Sequence, residues 1–431
     1  MKGISRLLRH RTSLLFFVLV VLFLGLSLPV GAKKITITFW KAAHGADVEL
    51  YTPIIEKFQS QNPDIEIKFL SHPWEGWDER YGSAFAAGTP PDISYMPDEF
   101  YPKFAEAGLL AKLDEVFPDA MKKMAKDYPP NFWAKGAYGG HQYGVPYLFV
   151  AVALFYNKDI FKTAGIKEPP SDMQAAKGWT WGEFAEVAQK LTAREKDRWG
   201  YSWSAAYRDP NYLYPYFWQA GMDILDLNNN RAGFGGEGGV KAVQFLVDLV
   251  HKYRVVPADG MHPNFQQVFY EGRAAMAPVE SFSVPIVRRQ YPKLNVGAAL
   301  NPQGPGIQFF EGRGTFGNLG FMVVSKSAIS SSTKKEAVLK FLEFLCNKEN
   351  AQTYVGGVSL FGARKDFVME PDPLYSVFQK TIPFLVGYPL HPKLRQVHPI
   401  VISEVQSAIL KQKSPKQAVD DAVRRVNELL K

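Results

Sequence analysis

The chain has a single cysteine, Cys346, among its 431 residues. One thiol cannot form an internal disulfide, so packing and hydrogen bonds alone must hold the fold together. Cys346 also lies far from the apolar run near the N-terminus, so no thiol stands beside that run to carry a lipid. A disulfide-stapled scaffold and an N-terminal lipoprotein are therefore excluded.

The sequence also lacks the motifs of common catalytic and metal centres. It contains neither GxSxG nor HExxH, and its 8 histidines show no metal-ligand spacing. Gly233–Gly238 satisfies GxGxxG, but a turn containing Asp226 and Asn230 precedes it where a dinucleotide site needs a buried strand. The same stretch resembles a calcium loop, except that Arg231 takes the position of the turn glycine. We expect no cofactor, no metal site and no catalytic residue.

Basic residues exceed acidic residues only slightly once the N-terminal segment is set aside. The full chain has 50 Lys plus Arg against 42 Asp plus Glu, and four of the basic residues lie in the first 32 positions. The remaining net charge of about +4 is dilute over about 400 residues. The charge therefore gives no indication of a nucleic-acid partner.

The first 32 residues have the features of an export signal. Four basic residues precede an apolar run over residues 14–30, and Gly31 and Ala32 supply the small residues of a signal-peptidase site. We predict cleavage before Lys33 and a periplasmic location. A retained membrane anchor is the alternative, since the run is just long enough to cross a bilayer. Pro29 and the small residues after it favour cleavage.

The segment after this signal has the pattern of a strand, a helix and a second strand. Apolar and polar residues alternate over residues 35–40 and again over 65–69, which predicts two strands. Leu50, Ile54 and Phe58 recur one turn apart and predict a helix over residues 47–60. A strand, a crossover helix and a strand indicate a parallel sheet covered by helices.

The α/β alternation pauses in the middle of the chain and then resumes. Residues 143–155 form a second apolar strand pattern, and residues 321–324 form another before a helix on which Val338, Phe341 and Leu345 share one face. This arrangement is typical of two interleaved lobes joined by strands. A chain of this length can bury two large cores.

Several short motifs follow one another along the chain. Residues 87–93 read AGTPPDI, residues 105–110 AEAGLL, residues 143–146 YGVP, residues 154–159 LFYNKD and residues 269–276 FYEGRAAM. In this order and at these distances they resemble the extracellular solute-binding proteins (family 1) of ABC sugar importers, the group that includes maltose-binding protein.

The resemblance implies an α/β periplasmic-binding-protein fold of type II, with two lobes, three chain crossings and a ligand cleft between the lobes. It places the crossings near Phe149–Val152, Gly317–Gly320 and Glu370–Pro373. The N-terminal lobe would comprise residues 33–149 and 321–371, and the C-terminal lobe residues 150–320 and 372–431. It further implies a monomeric binding protein without enzymatic activity, whose closed form docks on the permease subunits of an ABC transporter.

A sugar presents C–H patches on its faces and hydroxyls at its rim, so its receptor needs aromatic rings and planar polar groups. Aromatic residues make up 14% of this chain. Positions at which the family contacts ligand carry such side chains, although each aromatic among them could equally belong to the core and each acid could cap a helix. The predicted ligand-binding residues are His44, Trp74, Asp98, Glu99, Tyr207, Asp209, Tyr212, Phe282, Asn318, Phe361 and Arg364.

The identity of the ligand stays open at this point. The chain departs from the maltose-binding pattern at Val150, Asn211 and Phe282, which puts maltose itself in doubt. The candidate side chains are mixed in charge and rich in aromatics, which favours a neutral sugar over a polyol phosphate, a polyamine or a peptide. A secreted glycoside-active enzyme is the other alternative, because Asp98, Glu99 and Glu280 could supply an acid pair.

Overall fold

The computed structural model describes residues 34–43, 46–206, 210–369 and 371–431. The predicted export signal, residues 1–32, lies outside the described residues. Among the residues that the structure describes, none of the helices combines the length and the apolar character that crossing a bilayer requires.

Strands and helices alternate through most of the described chain. The strands are β1 (Ile35–Ala42), β2 (Ile65–His72), β3 (Ile93–Pro97), β4 (Ala137–Tyr138), β5 (His141–Gln142), β6 (Gly144–Asn157), β7 (Trp199–Tyr201), β8 (Leu225–Asp226), β9 (Arg231–Ala232), β10 (Ala274–Glu280), β11 (Val296–Ala299), β12 (Thr315–Val324), β13 (Phe361–Gly362) and β14 (Leu385–Val386). The α-helices are α1 (Asp47–Gln61), α2 (Trp77–Ala86), α3 (Tyr101–Glu106), α4 (Leu113–Val116), α5 (Pro118–Ala125), α6 (Pro130–Ala134), α7 (Lys158–Ala164), α8 (Trp181–Leu191), α9 (Tyr214–Gln219), α10 (Glu237–His251), α11 (Phe265–Tyr270), α12 (Ser283–Gln290), α13 (Ser332–Leu345), α14 (Lys348–Gly357), α15 (Pro373–Thr381), α16 (Leu394–Ile409) and α17 (Pro415–Leu430).

The predicted strand-helix-strand unit at the start of the mature chain is confirmed. β1 and β2 pair in parallel, with Ile35 opposite Ile65 and Phe39 opposite Phe69. Helix α1 connects them and buries Ile54 on the face that packs against the sheet. The period-two alternation of the strands and the period-3.6 spacing of the helix therefore predicted this unit correctly.

Two long antiparallel strands connect the two halves of the main sheet. The sheet runs in the order β2-β1-β3-β12-β6-β10-β7, with β11 also paired to β6. The first part of β6 pairs with β12, whereas its last part pairs with β10 and β11. The change of partner occurs between Ala151 and Val152, within the predicted first crossing.

Side chains alternate between two hydrophobic cores along the second part of β6. Ala151, Ala153 and Phe155 belong to one core, and Val152 and Leu154 belong to the other. This alternation follows from the two-residue period of a strand that is buried on both faces. The predicted class, a two-lobe α/β fold, is confirmed, while the residue limits of the two lobes stay a prediction.

Candidate functional site

A cavity of about 580 Å³ lies where the ends of several strands meet the second half of the chain. Strand β3 ends at its rim, β6 and β12 cross beneath it, and β10 ends on its far side. Ligands of α/β proteins commonly bind outside the carboxyl ends of parallel strands, which is where β3 places this cavity. The lining residues are Trp74, Gly76, Trp77, Asp78, Glu79, Tyr95, Pro97, Glu99, Phe100, Val150, Asn211, Glu280, Phe282, Phe316, Asn318, Arg395 and Gln396.

The floor of the cavity is formed by the two crossing strands. Asn318 of β12 stands opposite Val150 of β6, and both side chains are partly exposed. The Asn318 amide offers N–H donors and a carbonyl acceptor at this point. The floor therefore combines a polar group with an apolar one.

An ion pair joins the end of β3 to helix α16. Arg395 Nη1 lies 3.2 Å from Glu99 Oε2, and His398 Nε2 lies 3.4 Å from the same oxygen. Burial acts to raise the pKa of Glu99, but the contact with His398 and the positive charge of Arg395 outweigh it, so the pKa is lowered. Glu99 is therefore an ionised acceptor at the cavity wall.

A second polar group lies on the far side of the cavity. Asn211 donates through Nδ2 to Glu280 Oε1 at 2.7 Å, and its carbonyl oxygen accepts from the Tyr388 hydroxyl. Glu280 ends β10 and is only 6% exposed. The two hydrogen bonds fix the amide plane of Asn211 at the cavity surface.

Aromatic rings form the remaining walls. Trp74 and Tyr95 meet edge to face, with ring centroids 6.4 Å apart. Phe282 is partly exposed at the N-terminus of α12, whereas Phe316 is fully buried and stacks on Trp218. Trp74 and Phe282 therefore present flat apolar surface to the cavity, and the buried Phe316 and Tyr95 pack behind it.

Four of the predicted ligand-binding residues lie in this cavity: Trp74, Glu99, Phe282 and Asn318. Three others, His44, Tyr207 and Asp209, lie outside the described residues. The structure therefore brings together predicted residues that are up to 244 positions apart in the chain, Trp74 and Asn318 being the extremes.

Asp98 is not brought to the cavity surface. Its side chain is fully buried beside the cavity, whereas that of its neighbour Glu99 lines it. Burial raises the pKa of Asp98 from 3.8 to about 8, because the carboxylate loses its hydration. Asp98 is therefore not among the residues that line this cavity, and its predicted ligand contact stays a prediction.

Tyr212, Phe361 and Arg364 are also placed away from the cavity. Tyr212 is buried beside Phe265, and its hydroxyl accepts from Gln266. Phe361 is buried and stacks on Phe149, since β13 pairs with β6 at that point.

Arg364 is bound by two acidic side chains and a backbone carbonyl outside the cavity. Its guanidinium binds both carboxylate oxygens of Asp366, at 2.8 and 3.0 Å, lies 3.2 Å from Asp127 and donates to the carbonyl oxygen of Cys346. These contacts engage the whole guanidinium, which does not line the cavity, and the ligand contact predicted for Arg364 stays a prediction.

Sequence reasoning did not predict several of the lining residues as ligand contacts. Arg395 lies 296 positions from Glu99 and carries no local motif, and Tyr95 sits inside a strand where a core position is the default. In the sequence, Asn211 stands out only as a departure from a family pattern, and Glu280 only as an available acid. A signal that could have indicated Glu280 is its position at the end of the strand that follows the 269–276 motif.

The described residues contain no group of three or more His, Cys, Asp and Glu side chains that could hold a metal ion. In the stretch that resembles a calcium loop, Asp226 instead binds Asn229 and Arg231. Its carboxylate thus closes the β8–β9 hairpin.

Comparison with known proteins gives the family. The sequence model of the bacterial extracellular solute-binding proteins matches residues 42–352, well over half of the chain. The protein belongs to this family. A relative is the sn-glycerol-3-phosphate-binding periplasmic protein UgpB of Escherichia coli O1:K1, 26% identical over 442 residues that cover 95% of each chain.

Two solved structures of solute-binding proteins share the fold. An ABC substrate-binding protein, Lmo0181, of Listeria monocytogenes in complex with cycloalternan has a TM-score of 0.77 at 22% identity and covers 92% of this chain and 99% of its own. An ABC transporter solute-binding protein of Thermotoga lettingae bound with alpha-D-tagatose has a TM-score of 0.77 at 24% identity, with 92% and 100% covered. These similarities establish the two-lobe architecture of the solute-binding protein family for this chain.

Proposed function

We propose that this solute-binding protein captures an uncharged sugar or short oligosaccharide in the cavity between Trp74, Glu99, Glu280 and Asn318, and delivers it to the permease of an ABC importer. The observation that carries the proposal is the composition of the cavity wall, which combines aromatic rings with carboxylate and amide groups. Aromatic rings match the C–H faces of a sugar, and carboxylate and amide groups match its hydroxyls. A volume of about 580 Å³ suits a small ligand of this kind.

The charges of the cavity support an uncharged ligand over an anion. Among the described lining residues, Arg395 is the one cationic side chain, and Glu99 neutralises it. Recognition of a phosphate usually needs several positively charged hydrogen-bond donors, such as Arg or Lys side chains. The acidic lining side chains, which include Glu280 and Glu79, would repel an anion.

A polyol phosphate is the second candidate, because one observation favours it. UgpB, named for binding sn-glycerol 3-phosphate, is 26% identical over nearly the whole chain. The solved structures that share the fold were determined with cycloalternan and alpha-D-tagatose bound, and so favour sugars. The two candidates differ in charge, which makes them easy to separate by experiment.

The geometry supports capture without chemical change. Glycoside hydrolysis requires a protonated acid close to the bond that breaks. Glu99 has a lowered pKa and is held in an ion pair with Arg395, so it is a poor proton donor at neutral pH. Asp98 stays protonated near neutral pH but is fully buried and lies outside the cavity.

Delivery would follow from closure of the two lobes around the ligand. The cavity is lined both by residues near β3, which are predicted to belong to the N-terminal lobe, and by Glu280 and Arg395, which are predicted to belong to the C-terminal lobe. A ligand that contacts both lobes favours the closed arrangement by the difference between its affinities for the two arrangements. We place the protein in the periplasm, as a monomer that docks on the permease subunits when closed.

A thermal-shift screen of the mature protein tests this proposal. Maltose, maltotriose, D-tagatose, sn-glycerol 3-phosphate and spermidine would each be added at 0.1 to about 10 mM, because a ligand of the native state raises Tm according to its concentration relative to Kd. We expect at least one sugar to raise Tm and the two charged compounds to leave it unchanged. A shift with sn-glycerol 3-phosphate and none with any sugar would establish the second candidate instead.

A further inference from the structure

The carboxyl group of Asp98 is buried without a hydrogen-bond partner. The residue is 0% exposed, and neither carboxylate oxygen makes a hydrogen bond of acceptable geometry with any described residue. The backbone N–H groups of Glu99 and Leu319 lie near enough to stabilise a charge slightly, but they do not complete a bond. An ionised carboxylate in this position is energetically unfavourable, because burial removes its hydrogen bonds with water and no group of the described residues replaces them.

Gly387, from the other half of the chain, lies against the carboxyl group of Asp98. A Cβ atom placed on Gly387 would lie 3.1 Å from Asp98 Oδ2 and 3.4 Å from the carbonyl oxygen of Gly317. Gly387 follows β14 and belongs to the predicted C-terminal lobe, whereas Asp98 follows β3 of the predicted N-terminal lobe. The contact therefore bridges the predicted lobes, at a point where any side chain on residue 387 would be crowded.

Lys135 is the one cation of the described residues that influences this carboxyl. Its Nζ lies 3.5 Å from the carbonyl oxygen of Tyr388 and near the position of a Cβ on Gly387. It acts to lower the pKa of Asp98, as does the backbone of Leu319. Burial is the larger effect, and the negative charge of Glu99 adds to it, so the pKa rises to about 8.

Two tyrosines of the described residues also interact with Asp98, and the buried Asp223 interacts with the same Lys135. Tyr95 on β3 and Tyr101 on α3 both have raised pKa values, chiefly because of burial, with a contribution from the charge of Asp98. Neither supplies a positive charge. Strand β12 and the segment after β14 contribute backbone atoms of Leu319, Gly317 and Gly387 to the same site.

We propose that Asp98 is a proton-binding site that links the arrangement of the lobes to pH: it is neutral when the segment Leu385–Tyr388 covers it, and its ionisation weakens that contact. The inference rests on the proposed function only in that it takes the two lobes to separate and close. When the segment moves away, water reaches the carboxyl and its pKa falls toward the ordinary value. Closing the contact then takes up one proton, and the closed arrangement loses population as the pH rises toward 8.

The test uses the ligand-free mature protein. Hydrogen exchange of a peptide that contains Leu385–Tyr388 would be followed by mass spectrometry from pH 5.5 to 9, with labelling times scaled for the base catalysis of exchange. Small-angle scattering on the same samples would report the separation of the lobes. For the wild type, we expect protection of this peptide to fall at least tenfold, and the radius of gyration to increase, between pH 6 and 9.

Asp98→Asn is the decisive variant, because its amide has the size of a carboxyl and stays neutral. We expect its protection and radius to be independent of pH. A wild type without pH dependence, or an Asp98→Asn protein with the same dependence as the wild type, would overturn the proposal. Lys135→Met provides a second test that does not depend on the folding of the first variant. Loss of the positive charge destabilises the ionised carboxyl under its cover and raises its pKa further. The fall in protection between pH 6 and 9 should therefore be larger than in the wild type, and an equal or smaller fall would contradict the proposal.

No sugar is present in these measurements. A failure of the pH linkage therefore leaves the sugar proposal standing, and a protein that binds no sugar can still show the linkage. The two proposals fail independently.

Discussion

Arg395 of α16 and Glu99 at the end of β3 form an ion pair across the candidate site, with Nη1 and Oε2 3.2 Å apart. The Glu99 side chain is 12% exposed and the Arg395 side chain 33%, so the pair stands at the boundary between cavity and solvent. The guanidinium of Arg395 also lies 4.8 Å from the centre of the Phe100 ring. Residues 296 positions apart thus define one wall of the cavity.

Replacement of Glu99 by Gln should weaken sugar binding. The variant keeps the size of the side chain but loses the charge that strengthens hydrogen bonds from sugar hydroxyls, a loss of about 1 to 1.5 kcal/mol for each bond. We expect Kd, measured by calorimetry with the sugar found in the screen, to rise about tenfold or more. Glu349→Gln is the matched control, since Glu349 pairs with Lys57 on the exposed surface, and its Kd should stay that of the wild type. An unchanged Kd for Glu99→Gln would remove Glu99 from the site.

Trp74→Ala tests the aromatic wall. Loss of the indole removes a flat surface from the cavity and should weaken binding by at least about 1 kcal/mol. Trp199→Ala is the control, because Trp199 is also partly exposed but contacts Arg194 and Asp197 away from the cavity. Equal effects of the two substitutions on Kd would mean that Trp74 does not contact the sugar.

The comparison of sequence with structure is most instructive at Asp98 and Glu99. The sequence pattern identified this pair of acids at the end of a strand, and the structure places one of them in the cavity and the other under the surface. The backbone dihedral angles after the strand decide which of two adjacent side chains faces a cavity. The local sequence does not determine those angles. Local periodicity predicted β1, α1 and β2 because those elements depend on local spacing.

Contacts between distant segments were beyond such reasoning. Arg395 meets Glu99 only because α16 returns to the carboxyl end of β3, and the sequence near Arg395 gives no sign of it. Arg364 is the opposite case, a residue expected at the ligand from the resemblance but engaged by other protein groups. Resemblance placed it at the ligand, but its neighbours Asp366 and Asp127 bind its guanidinium in the folded chain.

Arg364→Ala should therefore reduce stability and leave binding intact. The substitution removes the partner of Asp366 and Asp127 and a donor to the carbonyl of Cys346. Both carboxylates are largely exposed, so each pair contributes about 1 kcal/mol or less, and the lost hydrogen bond contributes about 1 kcal/mol. We expect a loss of about 1 to 2 kcal/mol in the free energy of urea unfolding. Kd for the sugar should remain within twofold of the wild type. A large loss of affinity with unchanged stability would restore Arg364 to the ligand site.

Asp98→Asn should stabilise the protein at alkaline pH. The pKa of Asp98 is raised to about 8 in the folded chain, so wild-type stability is lost as the pH rises from the ordinary pKa of 3.8 toward 8. The amide cannot ionise and avoids this loss. We expect the variant to exceed the wild type in free energy of unfolding by at least about 1.4 kcal/mol at pH 8.5, with the difference smaller at pH 5.

The control for this prediction is Asp420→Asn, at an exposed carboxylate that pairs with Lys416. Its stability relative to the wild type should change little between pH 5 and 8.5, because exposed pairs contribute about 1 kcal/mol or less. If Asp98→Asn and Asp420→Asn show the same pH profile, the buried carboxyl is not the source of the effect.

The central claim is that an uncharged sugar binds in this cavity and leaves it chemically intact. Calorimetric titration of the mature protein with the sugar found in the screen, followed by mass spectrometry of the recovered ligand, tests both parts in one sample. We predict one sugar bound per protein molecule, an affinity that Glu99→Gln and Trp74→Ala both weaken, and complete recovery of the unmodified sugar. Binding that neither substitution affects, or a hydrolysed product in the recovered ligand, would contradict the account.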